Sequence, residues 1–132
     1  NRTSYLRYKK ENTVTFYLGG YANRDQRDFI RKIYESNPSV TYLHFGDIDA
    51  GGFWIHHHLC QVTGVPFGMF HMSFEELMEP DYRKCLHPLT ERDITRMQEL
   101  AVMLEYRDVI KYMLEHRVKL EQEIISLKLM EV

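Results

Sequence analysis

The stretch "YLHFGDIDAGGFWIHHHL", residues 42–59, decides the fold. It passes from an apolar and aromatic segment into Asp47-Ile48-Asp49, then through a glycine pair into a stretch of helical length. Residues 40–47 read as a strand, and Gly51-Gly52 opens a helix through about Val62 that Thr63-Gly64 closes. Residues two apart in extended chain point to the same side. Asp47 and Asp49 can therefore face one volume at the carboxyl end of a strand, where open α/β sheets collect functional groups. Two such carboxylates repel each other, and each is costly to desolvate. A divalent cation relieves both problems, and hard oxygen donors suit Mg²⁺ or Mn²⁺. The glycines take side chains away from the helix start, so backbone or phosphate can come close. Spacing alone leaves a second reading open, in which Asp before Gly is turn and cap chemistry. An EF-hand loop fails, because His58 stands where its twelfth position needs Glu and a strand precedes it. An Asp-x-Asp-x-Thr phosphotransferase motif fails too, because Gly51 replaces the Thr.

Working outward, "TVTFYL" (13–18) reads as a strand stopped by Gly19-Gly20. "NRDQRDFIRKIYESN" reads as a helix capped by Asn23, with Phe29, Ile30, Ile33 and Tyr34 on one face, ended by Asn37-Pro38. "VPFGMFHM" (65–72) reads as a third strand. Strands alternating with helices of this length predict βαβ units and a parallel sheet. Ser73-x-x-Glu76 and Thr90-x-x-Asp93 are helix starts, and Ile94, Met97, Ala101, Leu104, then Val109, Ile110, Met113, Leu114 recur at helical spacing. The chain is thus expected to be a single α/β domain, with a sheet part over about 1–72 and two or three helices over about 73–132.

A hydrophobic share of 44% and a charged share of 27% suit a soluble globular domain. No apolar run approaches the roughly 18 residues a membrane span needs, and "NRTSYLRYKKEN" does not resemble a signal peptide. Cys60 and Cys85 form no C-x-x-C pair, which points to a reducing, cytoplasmic setting. The net charge of −2 hides an asymmetry: Arg2, Arg7, Lys9, Lys10, Arg24, Arg27, Arg31 and Lys32 outnumber the acids of residues 1–32, and acids dominate the rest. That basic segment is either a polyanion-binding face or a solvated helix surface. His56, His57 and His58 diverge by about 100° per residue on a helix and cannot converge on one metal. His44 and His71 read as satisfied buried histidines, Trp54 as a residue packing its helix on the sheet, and Cys60 as no nucleophile.

Three stretches in this order, "YLGGYANRDQRDFIRKI", "TYLHFGDIDAGGFWIHHHL" and "KLEQEII", resemble the C-terminal domain of the JetD family, the nuclease subunit of the bacterial Wadjet anti-plasmid system. The resemblance covers nearly the whole chain. It implies a Toprim-like parallel sheet flanked by helices, similar to the DNA-cleaving subunit of topoisomerase VI, with a helical C-terminal extension. It implies Mg²⁺ (or Mn²⁺) held by Asp47 and Asp49 together with a Glu at the end of a first strand. That Glu is expected immediately before Asn1, so the first strand and its ligand would lie upstream. Glu121 and Glu123 match the family's "LEQE" motif and are expected either to add carboxylates to the metal site, to bind Arg, or to form an exposed helix turn. The function so implied is metal-dependent endonucleolytic cleavage of double-stranded plasmid DNA, with Arg2, Arg7, Lys9, Lys10, Arg24 and Arg27 contacting phosphates. Water is the expected nucleophile, because none of Tyr5, Tyr8 and Tyr21 stands out. The implied partners are the SMC-like JetABC complex and a second copy of the chain, with no membrane. A catalytically silent module docking on an SMC-like complex and a topoisomerase VI-like strand-passage subunit are the alternatives.

Overall fold

Asn23 starts the first long helix by a reciprocal cap: its side chain accepts from the Gln26 N–H at 2.8 Å, and the Gln26 side chain accepts from the Asn23 N–H at 2.9 Å. In the computed structural model, which describes residues 2–7 and 10–130, helices dominate. They are α1 (Arg2–Arg7), α2 (Arg24–Ser36), α3 (Ala50–Thr63), α4 (Phe74–Met78), α5 (Glu91–Leu100), α6 (Leu104–His116) and α7 (Gln122–Leu129), with a 3₁₀ turn over Pro80–Cys85. The strands are two residues each: β1 (Leu43–His44), β2 (Gly68–Met69), β3 (His87–Pro88) and β4 (Val118–Lys119). β1 and β2 pair in parallel across α3, so the βαβ unit expected around residues 40–72 is present in short form. Its ladder is carried by Gly68 N–H to Tyr42 O at 2.9 Å and Phe70 N–H to His44 O at 2.8 Å.

The expected strand at 13–18 is a correction. That segment is irregular and pairs with no strand among the described residues, with Val14 95% exposed. β propensity is realised only where a neighbour supplies ladder partners and a packed face. Here Phe16 and Tyr17 make ring contacts instead, with Phe29 and Tyr5 respectively, each at 5.5 Å between centroids. The extended sheet inferred from sequence is therefore replaced by a mixed α/β fold with two small sheets. Among the described residues the C-terminal part carries four α-helices, where two or three were expected. It also carries the antiparallel pair β3–β4, which no periodicity announced.

Two apolar clusters hold these elements. Phe53 of α3, Met97 and Leu100 of α5, and Tyr106, Ile110 and Met113 of α6 are fully buried together. Burying each such side chain stabilises the fold by roughly 1.5–3 kcal/mol. A smaller cluster of Ala22, Ile30, Leu59 and Val65 seats α2 on the other end of α3. Of the expected α2 face, Ile30 is buried and Phe29 is exposed. Trp54 is half-buried against the main cluster, whose anchor on α3 is its neighbour Phe53. α3 ends as the sequence predicts, on Gly64 in the left-handed region at φ 70°, where a residue without Cβ is unstrained.

Candidate functional site

Asp47 and Asp49 leave the end of β1 on either side of the fully buried Ile48. Ile48 exchanges two backbone hydrogen bonds with Leu120, at 2.9 and 3.1 Å, so residues 47–49 lie against the segment joining β4 to α7. Asp49 is the N-cap of α3, and its Oδ1 accepts from the Gly52 N–H at 2.7 Å. Asp47 Oδ1 accepts from the Gln122 N–H at 2.7 Å, across 75 residues of sequence. Both aspartates thus sit at the positive ends of helices, α3 and α7, where carboxylates are favoured. The cap reading of this motif holds for Asp49, whose Oδ1 caps α3. Oδ2 of each aspartate has no protein hydrogen bond among the described residues. Gly52 is what lets α3 begin this close: a Cβ there would overlap the Asp47 carbonyl oxygen.

Asp47 and Asp49 line a cleft of about 430 Å³ together with His87, Pro88, Lys119, Leu120 and Glu121. Burial raises the Asp49 carboxyl above its ordinary pKa, and the Asp47 charge adds to this, against the opposing pull of the Gly52 N–H and Lys119. Lys119 Nζ lies 2.7 Å from Asp93 Oδ2. Burial pushes the Asp93 carboxyl up, but its bonds from Lys119 and Thr90 outweigh this and hold it below the usual range. Glu121 is more than half exposed and lies 3.9 Å from His87 Nε2.

Among the described residues, no group of three or more His, Cys, Asp or Glu side chains converges closely enough to hold a metal ion. Mg²⁺ is commonly held by one or two carboxylates, with water and phosphate oxygens completing its shell. The Asp47–Asp49 pair, with an unbonded oxygen on each and hard donor chemistry, fits the protein's share of such a site.

A family model described as "Wadjet protein JetD, C-terminal" matches residues 1–132 of the chain. The chain belongs to the JetD C-terminal family. A curated relative, the Wadjet protein JetD of Bacillus cereus (strain Q1), is 28% identical over 129 residues, covering 93% of this chain. The chain covers 31% of that JetD relative's own length.

Of the residues singled out by this JetD resemblance, the structure brings Asp47, Asp49 and Glu121 to one cleft. Glu123 is in the first turn of α7 and does not line it. Arg2, Lys10 and Arg24 are exposed, and Arg27 is half-buried with Nε 3.4 Å from Asn23 O. Asn1, Tyr8, Lys9 and the side chain of Arg7 lie outside the described residues. Sequence reasoning missed Gln122, Lys119 and His87. Gln122 was legible only as the middle of "LEQE", and the others carry no local signal.

The histidines divide by environment. His56 is fully buried, with Nδ1 2.7 Å from the Tyr106 hydroxyl and Nε2 2.7 Å from Phe67 O. His44 was expected to be satisfied, but its buried Nε2 has no partner among the described residues. Burial, with the neighbouring His56, lowers its pKa to about 4. His71 was expected to be buried and is instead 39% exposed, at φ 50°, beside Glu76 at 3.5 Å. Burial raises the Cys60 thiol pKa, which agrees with its exclusion as a nucleophile.

Proposed function

We propose that the full-length protein carrying this domain acts in Wadjet defence as a Toprim-type, metal-dependent endonuclease on plasmid DNA. Family membership supports the setting. The observation that carries the chemistry is the cleft in which Asp47 and Asp49 each have one oxygen fixed by a helix-start N–H and the other unbonded. In this reading Asp47 and Asp49 hold Mg²⁺ or Mn²⁺, and Glu121 adds a carboxylate on the facing wall. The bound ion supplies Lewis-acid polarisation of the phosphodiester and offsets charge on the leaving oxygen. Helix-start N–H groups hold one oxygen of each aspartate in place before the ion arrives. Exposed Arg2, Lys10 and Arg24, with Arg27, Arg7 and Lys9, contact phosphates without reading sequence, so binding weakens steeply with salt. The protein works in the cytoplasm as a homodimer on double-stranded DNA delivered by the SMC-like JetABC complex.

The test is plasmid nicking by the full-length protein in Mg²⁺ or Mn²⁺, compared with an Asp47→Ala, Asp49→Ala double variant. The proposal expects cleavage to be lost in the variant. Equal cleavage by both proteins refutes it.

A further inference from the structure

Gln122 occupies the first position of α7, after an N-cap, Glu121, whose side chain makes no cap bond. The N–H of a first helical residue has no partner within its own helix. Here it is given to Asp47 at 2.7 Å. The side chain of the same residue turns to the same segment, and Gln122 Nε2 donates to Phe45 O at 2.8 Å. One residue therefore grips the 45–47 segment at two points, the Phe45 carbonyl and the Asp47 carboxylate. Gln122 is 7% exposed, and its Oε1 is buried with no partner among the described residues. A buried acceptor left unmatched is unfavourable for stability, so a residue chosen for packing alone is poorly accounted for. The two-way backbone bridge between Ile48 and Leu120 fixes the register that makes this grip possible.

We propose that Gln122 is a positioning residue: it fixes the rotamer of Asp47 so that Oδ1 is engaged by α7 and Oδ2 is presented to the metal. This rests on the metal-site reading given above, and it makes the start of α7 part of the site. Residues that hydrogen-bond to metal ligands are worth about 10- to 100-fold in metal affinity when removed.

Two substitutions separate the two halves of the grip. Gln122→Met keeps the volume but removes the donor to Phe45. Gln122→Pro also removes the N–H given to Asp47 and puts ring carbon against its Oδ1, so the carboxylate must leave that position. The backbone itself admits proline, at the first helical position preceded by Glu121 at φ −77°, ψ 139°. Mn²⁺ affinity of the full-length protein, read by calorimetry and by the spin-resonance signal of free Mn²⁺, is measured for both in Asp47 and Asp47→Asn backgrounds. Melting temperature is recorded in parallel. The expected result is about a 10-fold or greater loss for Gln122→Pro and a smaller loss for Gln122→Met, with neither adding to the loss caused by Asp47→Asn. Unchanged affinity in Gln122→Pro overturns the proposal, as does an equal further loss in the Asp47→Asn background. If the proline variant does not fold, the methionine series decides by the same criteria. If Asp47→Asn itself leaves Mn²⁺ binding unchanged, the metal site fails, and this inference with it. If Asp47→Asn weakens binding and the Gln122 variants do not, only this inference fails.

Discussion

Alanine at Gly51 and alanine at Gly52 place one methyl group at adjacent positions in the first turn of α3, and the structure assigns them opposite signs. A Cβ at Gly51 meets Asp49 Oδ1 at 3.4 Å and Arg96 Nη1 at 3.9 Å, which is ordinary contact. Helix propensity then favours the alanine by up to about 1 kcal/mol. A Cβ at Gly52 overlaps the Asp47 carbonyl oxygen and lies 2.9 Å from the carbonyl carbon, so rigid backbone must move. Overpacking of this kind costs about 1–3 kcal/mol. Moving α3 also strains the 2.7 Å bond from Gly52 N–H to Asp49, a cap worth about 0.5–2 kcal/mol. Set against the same propensity gain, the net loss for Gly52→Ala is roughly 0.5–4 kcal/mol. Urea denaturation of the 132-residue chain measures both. On the proposed metal-site reading, the collision separates Asp47 from Asp49, so Gly52→Ala should abolish Mn²⁺ binding in a titration and Gly51→Ala should retain it. Equal stability changes at the two positions, of either sign, would refute the close-approach argument.

Other outcomes follow from burial and charge. The Asp49 pKa is raised by folding, so its burial favours the fold at low pH and opposes it once both states are ionised. Asp49→Asn, which keeps a good N-cap, should therefore raise the melting temperature at pH 7, with the gain shrinking as pH falls toward the ordinary carboxylate range. On the proposed metal-site reading, added Mn²⁺ should reverse the order of the two proteins. His44 is lowered from 6.5 to about 4, so the unfolded chain binds the extra proton between those values and stability declines as pH falls through that window. At about 1.4 kcal/mol per unit the decline is roughly 3 kcal/mol, and His44→Leu should flatten it in pH-dependent thermal denaturation. Tyr106→Phe leaves the buried His56 Nδ1 without its 2.7 Å partner and should cost about 1–3 kcal/mol in urea denaturation.

What could be read from the sequence was what neighbouring residues decide. Asn23, Ser73 and Thr90 cap the helices they were expected to start. Gly64 ends α3, and the segments around residues 43 and 68 pair in parallel across it. Asp47 and Asp49 reach one cleft because a strand end delivers alternate residues to one side. The 13–18 segment misled because its β-branched and aromatic composition is a preference that only a partner strand can realise. β3, β4 and the Ile48–Leu120 bridge were invisible for the converse reason: two-residue ladders leave no period in the sequence. The far wall of the cleft, Lys119 and Glu121, and the Gln122 grip depend on that bridge, so they were hidden with it. His44 looked like a satisfied core residue because sequence shows that a ring is flanked by apolar neighbours, not whether its nitrogen finds a donor or acceptor.

The 75-residue span between Asp47 and the N–H that holds it also fixes when the cleft exists. A chain emerging from the ribosome carries both aspartates before residues 118–122 have been made. Until then Asp47 has no helix end to hold it and the cleft has one wall. Contacts so distant in sequence form late and slowly in folding. In the reading proposed here, the metal centre is complete only once residues 118–122 are in place, and a product truncated before residue 118 carries its acidic pair without the means to use it.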